Sequence, residues 1–434
     1  MRIGLLGCGN VGDALVSLIE GRREPIRTRV GIDLEVVRIA VRSASKERIS
    51  TIDPSILTTD PYEVVNDPTV DIVVELIGGI EPARSLILTA LANNKPVVTA
   101  NKELLANVGA ELYEAADKAG CDLLFEAAAA GAIPIVRPLR ESLLGEDITR
   151  ITGIFNGTTN FILTRMAEDG ANYSEALAEA QSLGYAERDP TADVEGFDSG
   201  AKAAIMASLA FGARVVAGDV YHEGISSIEA SDIAYAQRLG YQIKLLAVAE
   251  VFNSDDTDAR EVAVRVHPAL VPDSHPLASV RDSFNAVFVE GQAAGELMFY
   301  GRGAGGFPSA SAVLGDVLDA AQNLGSATHR TVPAGGGSST RPATIRPIDD
   351  LYTEYYVNMV LADESGVLAA VAGSFGRHGV SIRSMEQQEV ANGVASVSFI
   401  THQAREADLQ ATLHELRALD QVEKIKGVLR VVSE

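Results

Sequence analysis

The chain has 434 residues, 47% apolar and 22% charged, with a formal charge of −23 and two cysteines. That length exceeds a single core and predicts two or three domains. The acidic balance argues against a nucleic-acid partner, which would need a basic footprint, and against an anionic membrane surface.

Residues 3–7 (IGLLG) read as a short buried strand and 13–21 (DALVSLIEG) as a helix. Further strands are expected at 34–41, 71–79, 95–100 and 122–128, with helices at 81–93 and 103–119. Near-continuous apolar strands alternating with helices predict a parallel sheet covered on both faces. The expected fold class is therefore α/β, with a Rossmann-type doubly wound sheet over residues 1–130, completed by about 302–327.

The first turn carries GCGNVG, with Gly7, Gly9 and Gly12 in the G-x-G-x-x-G spacing and Asn10 and Val11 between them. The spacing follows a strand and opens a helix, as a dinucleotide site requires. Gly7 permits a tight turn, Gly9 lets a pyrophosphate approach the backbone, and Gly12 lets helix pack on strand. The phosphates would lie on the helix N-terminus. Where the second strand ends, an acid would bind a ribose 2′-hydroxyl; this chain has Val41, Arg42 and Ser43, with Lys46 nearby. A cation suits a 2′-phosphate, so NADP is favoured and NAD stays open. Thr99 and Lys102, in TANK, fall at a strand end beside any nicotinamide.

From 131 to 301 the pattern changes to mixed strands and helices, an α+β unit and a different domain. Within it, LGYAERDPTADVEGFDSGAKAA (183–204) packs five acids ahead of Lys202. Asp198 and Lys202 would share a helix face. They are either an ordinary i,i+4 pair worth a few tenths of a kcal/mol, roughly, or a proton-transfer site. A hydride transfer between aldehyde and alcohol needs a group to give or take the hydroxyl proton, and no histidine or cysteine cluster offers a metal alternative. An α-ammonium substrate needs fixed carboxylates, which Glu187, Asp193 and Asp198 would supply.

A Gly/Ser/Pro-rich stretch, 331–347, reads as a linker within 328–349. Residues 350–434 then give six elements in β-α-β-β-α-β order, a ferredoxin-like unit.

The motifs GCGNVG, KPVVTANKELLA, FNGTTNFIL, the 183–204 array and YGRGAGGFPSASAVLGD occur in one order over residues 1 to about 325. In this the chain resembles homoserine dehydrogenase. The resemblance implies reversible NAD(P)-dependent reduction of aspartate 4-semialdehyde to L-homoserine, on the route to threonine and methionine. It also implies that 131–301 is the catalytic/substrate and dimerisation domain, and it implies roles for individual residues. Lys202 is the proton donor and Lys102 the second catalytic-site lysine. Glu187 and Asp198 bind substrate with Asp193 in support, while Tyr185 and Thr158 lie near the substrate carboxylate. Loop 301–305, with Gly303, returns to the nucleotide. A monovalent cation, usually sodium, would sit on Glu126 and the backbone carbonyls of Ala129, Gly131 and Ile133. Two departures stand out: EAAAAGAIP at the cation turn and Arg302 in GRGAG.

The last unit resembles an ACT domain through LADESGVLAAVAGSFGRHGVSI. The resemblance implies pairing between subunits, as a homodimer or homotetramer, and threonine as effector; Ser365 stands where relatives carry proline. A non-catalytic nucleotide- and amino-acid-binding sensor is the rival reading, and an ACT-bearing hydroxy-acid dehydrogenase a third. Cys8 and Cys121 make no disulfide framework, no signal peptide is visible, and the longest apolar run is short and broken by Arg214, so a cytoplasmic protein is expected.

Overall fold

The computed structural model describes residues 1–43, 52–252, 261–326, 341–342, 344–390 and 393–432. Chain order begins β1 (Arg2–Leu6), α1 (Asn10–Val30), β2 (Glu35–Ala40), β3 (Leu57–Thr58), α2 (Pro61–Asn66), β4 (Ile72–Glu75), α3 (Ala83–Ala92), β5 (Val97–Thr99), α4 (Lys102–Ala119), β6 (Leu123–Leu124) and α5 (Glu126–Ala130). The six strands form one parallel sheet in the order β3-β2-β1-β4-β5-β6. The order reverses between β1 and β4, and ligands of such sheets bind at that switch point, outside the strand carboxyl ends.

Two strands end earlier than expected. The one read at 71–79 stops at Glu75, where the chain turns at Gly78 and Gly79 with φ +81 and +72. The strand read at 122–128 stops at Leu124. Glu126 starts a helix, because alanines 127–130 favour that state and the Glu126 carboxylate has other partners, described below.

The middle unit continues with β7 (Ile148–Ile154), α6 (Gly157–Glu168), α7 (Tyr173–Ser182), α8 (Thr191–Val194), α9 (Phe197–Phe211), β8 (Ala213–Arg214), β9 (Tyr221–His222), α10 (Ala230–Arg238), β10 (Tyr241–Phe252), β11 (Glu261–Pro272), β12 (Phe284–Gly291) and β13 (Gly295–Arg302). Its sheet runs β13-β12-β7-β10-β11, and α6, α9 and α10 pack on β10. The long helix α11 (Gly306–Ser326) returns to the first unit and packs along α1. Ala310, Val313 and Val317 are fully buried there, in one core with Leu5, Leu15 and Ile39.

The last stretch holds β14 (Arg341–Pro342), β15 (Thr344–Ile345), β16 (Tyr352–Ala362), α12 (Val367–Arg377), β17 (Ile382–Val390), β18 (Val394–Thr401), β19 (Ala404–Arg405), α13 (Glu406–Arg417) and β20 (Val422–Val431). The order β20-β16-β18-β17 is that of the ferredoxin-like unit, with its own apolar core. Two features were not visible in the sequence. Within the stretch read as linker, β15 pairs with Glu261–Val262 of β11. Further on, β20 pairs with β11 at Ala269–Arg430 and Leu270–Val431, so middle and last units share one continuous sheet. Among the described residues no helix is long and apolar enough to cross a membrane.

Candidate active site

The three glycines of the first turn meet three different constraints. Gly7 has φ +94, and a Cβ there would meet Leu76 O at 2.8 Å. A Cβ on Gly12 would lie 2.5 Å from Gly7 O, so residue 12 is glycine because helix and turn touch. Gly9 is the contrast: a Cβ there would meet no atom within 4 Å. The fold does not demand glycine at 9; a ligand approaching the backbone would. Gly9 is also the N-cap of α1 and brings no side chain to cap the first-turn N–H groups, which suits that helix end to an anion. The turn lines a cavity of about 580 Å³ together with Val41, Arg42, Ser43, Ile77 and Gly78. Arg42 is exposed at its edge, while Lys46 lies outside the described residues.

The floor of the crevice is set by Glu75, which the sequence reading did not single out. It is fully buried at the end of β4. Its Oε1 accepts from the Ile77 and Gly78 N–H groups at 2.7 and 3.2 Å, and its Oε2 from the Thr99 hydroxyl at 2.6 Å. Thr99 thus spends its hydroxyl on orienting the next strand. Asn101 caps α4 by accepting from Leu104 N–H at 3.1 Å and donates to Gly79 O at 2.7 Å. These bonds place Lys102, the first residue of α4, at the crevice mouth with its side chain 45% exposed.

On the other wall, Gly196 turns through φ +84 and starts α9. Asp198 lies in its first turn, where the helix dipole favours a carboxylate, and Lys202 follows one turn later. Both are buried, at 8% exposure. Asp198 grips two lysines at once: Lys102 Nζ lies 2.6 Å from its Oδ1, and Lys202 Nζ donates to its Oδ2 at 2.8 Å. Lys202 also donates to Phe155 O at 2.7 Å. Burial alone would raise the Asp198 pKa, but Lys202 and Lys102 outweigh it and hold the carboxyl well below the usual range. Burial likewise works against the charge on Lys102, and the Asp198 carboxylate reverses that, raising Lys102 above an ordinary lysine.

Asn156 completes the cluster and was also missed in sequence. Its Oδ1 caps α6 by accepting from Thr159 N–H at 2.8 Å, while its Nδ2 donates to Asp193 at 2.7 Å and Asp198 at 3.0 Å. Its signal in the chain is an asparagine directly before a Gly-Thr-Thr helix start, within FNGTTNFIL. Asp193 is raised, chiefly by burial, opposed by the Asn156 hydrogen bond and reinforced by neighbouring Asp198.

Of the residues expected at the substrate, Lys102, Asp193, Asp198 and Lys202 come together. Thr158 and Tyr185 join each other, the Thr158 hydroxyl donating to Tyr185 O at 2.7 Å, with the Tyr185 ring 5.1 Å from Phe161. Glu187 stands exposed on the turn after α7, and the hydrogen bond recorded there is from Gln181 to its backbone carbonyl at 3.0 Å.

Loop 301–305 meets the turn after α5. Ala132 N–H donates to Arg302 O at 3.1 Å, and a Cβ on Gly131 would lie 2.1 Å from Gly303 O. Gly303 in turn has Asn285 1.9 Å from its would-be Cβ. Glu126 is buried, and its carboxylate accepts from the N–H groups of Ile135, Val136 and Arg137 at 2.6, 2.7 and 2.9 Å.

Comparison with known proteins settles the family. The sequence family described as "Homoserine dehydrogenase" matches residues 134–318, and "Homoserine dehydrogenase, NAD binding domain" matches residues 7–126. The homoserine dehydrogenase of Corynebacterium glutamicum is 50% identical over 429 residues, covering 99% of this chain and 95% of its own. The chain belongs to the homoserine dehydrogenase family. The Synechocystis enzyme is 46% identical across the whole of both chains. The crystal structure of a homoserine dehydrogenase from Thiobacillus denitrificans superposes with a TM-score of 0.91 at 40% identity, covering 100% of this chain and 98% of that one. A hyperthermophilic archaeal homoserine dehydrogenase in complex with NADPH covers 74% of this chain, with TM-score 0.63 and 29% identity. An ACT domain matches residues 355–421. This homoserine dehydrogenase family member is an NAD(P)-dependent oxidoreductase with a C-terminal ACT domain, and the sensor reading is not favoured.

Proposed function

We propose that the chain interconverts L-aspartate 4-semialdehyde and L-homoserine, with Lys202 as proton donor to the developing alkoxide. The carrying observation is the Asp198 carboxylate holding Lys102 and Lys202 at 2.6 and 2.8 Å on the rim of the strand-end crevice. The residues fit a nicotinamide dinucleotide: Gly7, Gly9, Asn10, Val11 and Gly12 would cradle its pyrophosphate, and Thr99, Lys102 and Gly303 would border the nicotinamide. When bound, that cofactor supplies the hydride. The chain supplies the rest. Asp198, Asp193 and Glu187 hold the ammonium end of the substrate, and Tyr185 and Thr158 lie by its carboxylate. A charged lysine on an ionised aspartate is oriented and ready to release its proton to a stronger base, the alkoxide. Lys102, kept charged by Asp198, adds positive potential where negative charge develops.

Arg42 at the cavity edge supports NADP over NAD, by pairing with a 2′-phosphate. Glu126, oriented by three N–H groups, with the carbonyls of Ala129, Gly131 and Ile133, is the proposed seat of a monovalent cation such as sodium. The proposed units are 1–130 completed by 302–327, then 131–301, a linker at 328–349, and 350–434. The ACT domain is proposed to bind threonine as feedback effector, in a homodimer or homotetramer. Two buried cysteines, Cys8 and Cys121, neither in a disulfide, support a cytoplasmic setting.

The test is a spectrophotometric assay with L-homoserine and each dinucleotide. Turnover with NADP exceeding that with NAD is expected, and no turnover with either overturns the proposal. Adding L-threonine up to millimolar levels lowers the rate if the effector assignment holds; a flat response removes it.

A further inference from the structure

Gly200 lies in α9 between Asp198 and Lys202, and the imidazole of His222 lies against it. A Cβ on Gly200 would sit 2.0 Å from His222 Nε2 and 2.9 Å from its Cδ2. No real side chain tolerates that approach, so helix and ring fit only because residue 200 has no Cβ. Phe197, one turn earlier, packs on the same ring with centroids 5.0 Å apart. His222 therefore touches α9 at two points that bracket Asp198. Burial lowers its pKa, which favours the neutral ring.

His222 is itself held from the C-terminal unit. It belongs to β9, which pairs with Arg265–Val266 of β11, and the next residue, Glu223, donates its N–H to Val266 O at 2.8 Å. On either side of His222, Tyr221 and Glu223 bind each other at 2.5 Å and share one cation. Arg430 of β20 donates to Glu223 at 2.9 Å and places its guanidinium 5.5 Å from the Tyr221 ring centroid. Arg430 is 5% exposed, and its other edge is fixed by Glu406 at 2.9–3.0 Å. A buried arginine between two carboxylates resists displacement, since losing one partner strands a charge.

We infer that His222 is a positioning residue for Lys202, and that Arg430 of the C-terminal unit sets His222 through Glu223. This rests on the assignment of Lys202 as proton donor. Asp198, Gly200 and Lys202 lie within little more than one turn of a rigid helix, so a shift at Gly200 moves the Lys202 ammonium relative to the substrate. A displacement near 1 Å at a reacting centre costs on the order of 10²-fold in rate.

The experiment is steady-state kinetics on the full chain, with Lys202→Ala as reference. Gly200→Ala is expected to lower kcat by about 10²-fold while leaving KM for the dinucleotide unchanged. The double variant Gly200→Ala/His222→Ala recovers most of that loss, because the ring that the methyl meets is gone. His222→Ala and Glu223→Gln, which add no atoms, lower kcat without changing that KM. A wild-type rate in Gly200→Ala, or a double variant no faster than the single, overturns the inference. Wild-type kcat in both His222→Ala and Glu223→Gln overturns it equally, whether or not Gly200→Ala folds. Wild-type turnover in Lys202→Ala instead refutes the proton-donor assignment, a separate failure.

Discussion

The two walls of the crevice bind in different ways. At the glycine turn the backbone does the work: three positions lack side chains so that helix, strand and ligand can approach, and the open helix end supplies N–H groups. At the Asp198 cluster side chains do the work, and every one depends on a partner from another element. The first site tolerates little added bulk but needs no titration; the second tolerates little loss of charge. The contrast teaches where each wall fails. Added atoms break the glycine turn, and removed charges break the cluster.

Substitutions sharpen this. The largest effect is expected from Lys202→Ala, where losing the proposed proton donor lowers kcat about 10²–10⁴-fold with KM for the dinucleotide unchanged; a loss carried by that KM instead would erase the distinction between the walls. Next come two glycines in the same turn. Gly9→Ala meets no protein atom, so urea midpoints stay put while titrations show dinucleotide binding weakened by roughly tenfold to a hundredfold, about 1.4–2.8 kcal/mol. Gly12→Ala, with Gly7 O at 2.5 Å, destabilises the fold itself by about 1–3 kcal/mol. Equal midpoints for the two would show that the fold does not separate them. Arg42→Gln is smaller: KM for NADP rises about tenfold, from one charge-assisted bond of about 1.5 kcal/mol, with KM for NAD unaffected. The smallest effect is in stability against pH. The folded pKa of Asp198 is depressed, so its contribution is present above the unfolded value near 4 and lost as pH falls through the folded value. Urea unfolding from pH 7 downward should show less acid-side loss for Asp198→Asn than for wild type.

The same contrast explains what was legible beforehand. Gly7, Gly9 and Gly12 announce themselves because spacing in the chain equals spacing in the turn, and Asp198 and Lys202 because i,i+4 is a helical neighbour. Lys102 was placed at the crevice mouth from its strand-end position, but its bond to Asp198 joins two elements that no local pattern relates. Asn156 and Glu75 were missed for the same reason: each looks like an ordinary cap or strand end until its partners fold against it. The strand drawn through Glu126 runs too far because a short apolar run does not by itself tell strand from helix, and here the alanines' helix preference decides. Pairing of β20 with β11 was invisible, since a linker-like stretch implied a break that the sheet does not have.

Lys102 comes from the dinucleotide-binding unit and Asp198 from the middle unit, so their 2.6 Å contact crosses the joint between them. Any hinge motion that widens the cleft must stretch this bond, and any substrate that displaces Lys102 loosens the joint. Salt weakens such a half-exposed pair more than the buried Asp198–Lys202 partner bond. Raising ionic strength should therefore loosen the Lys102–Asp198 contact between the two units before it loosens the Asp198–Lys202 pair inside α9.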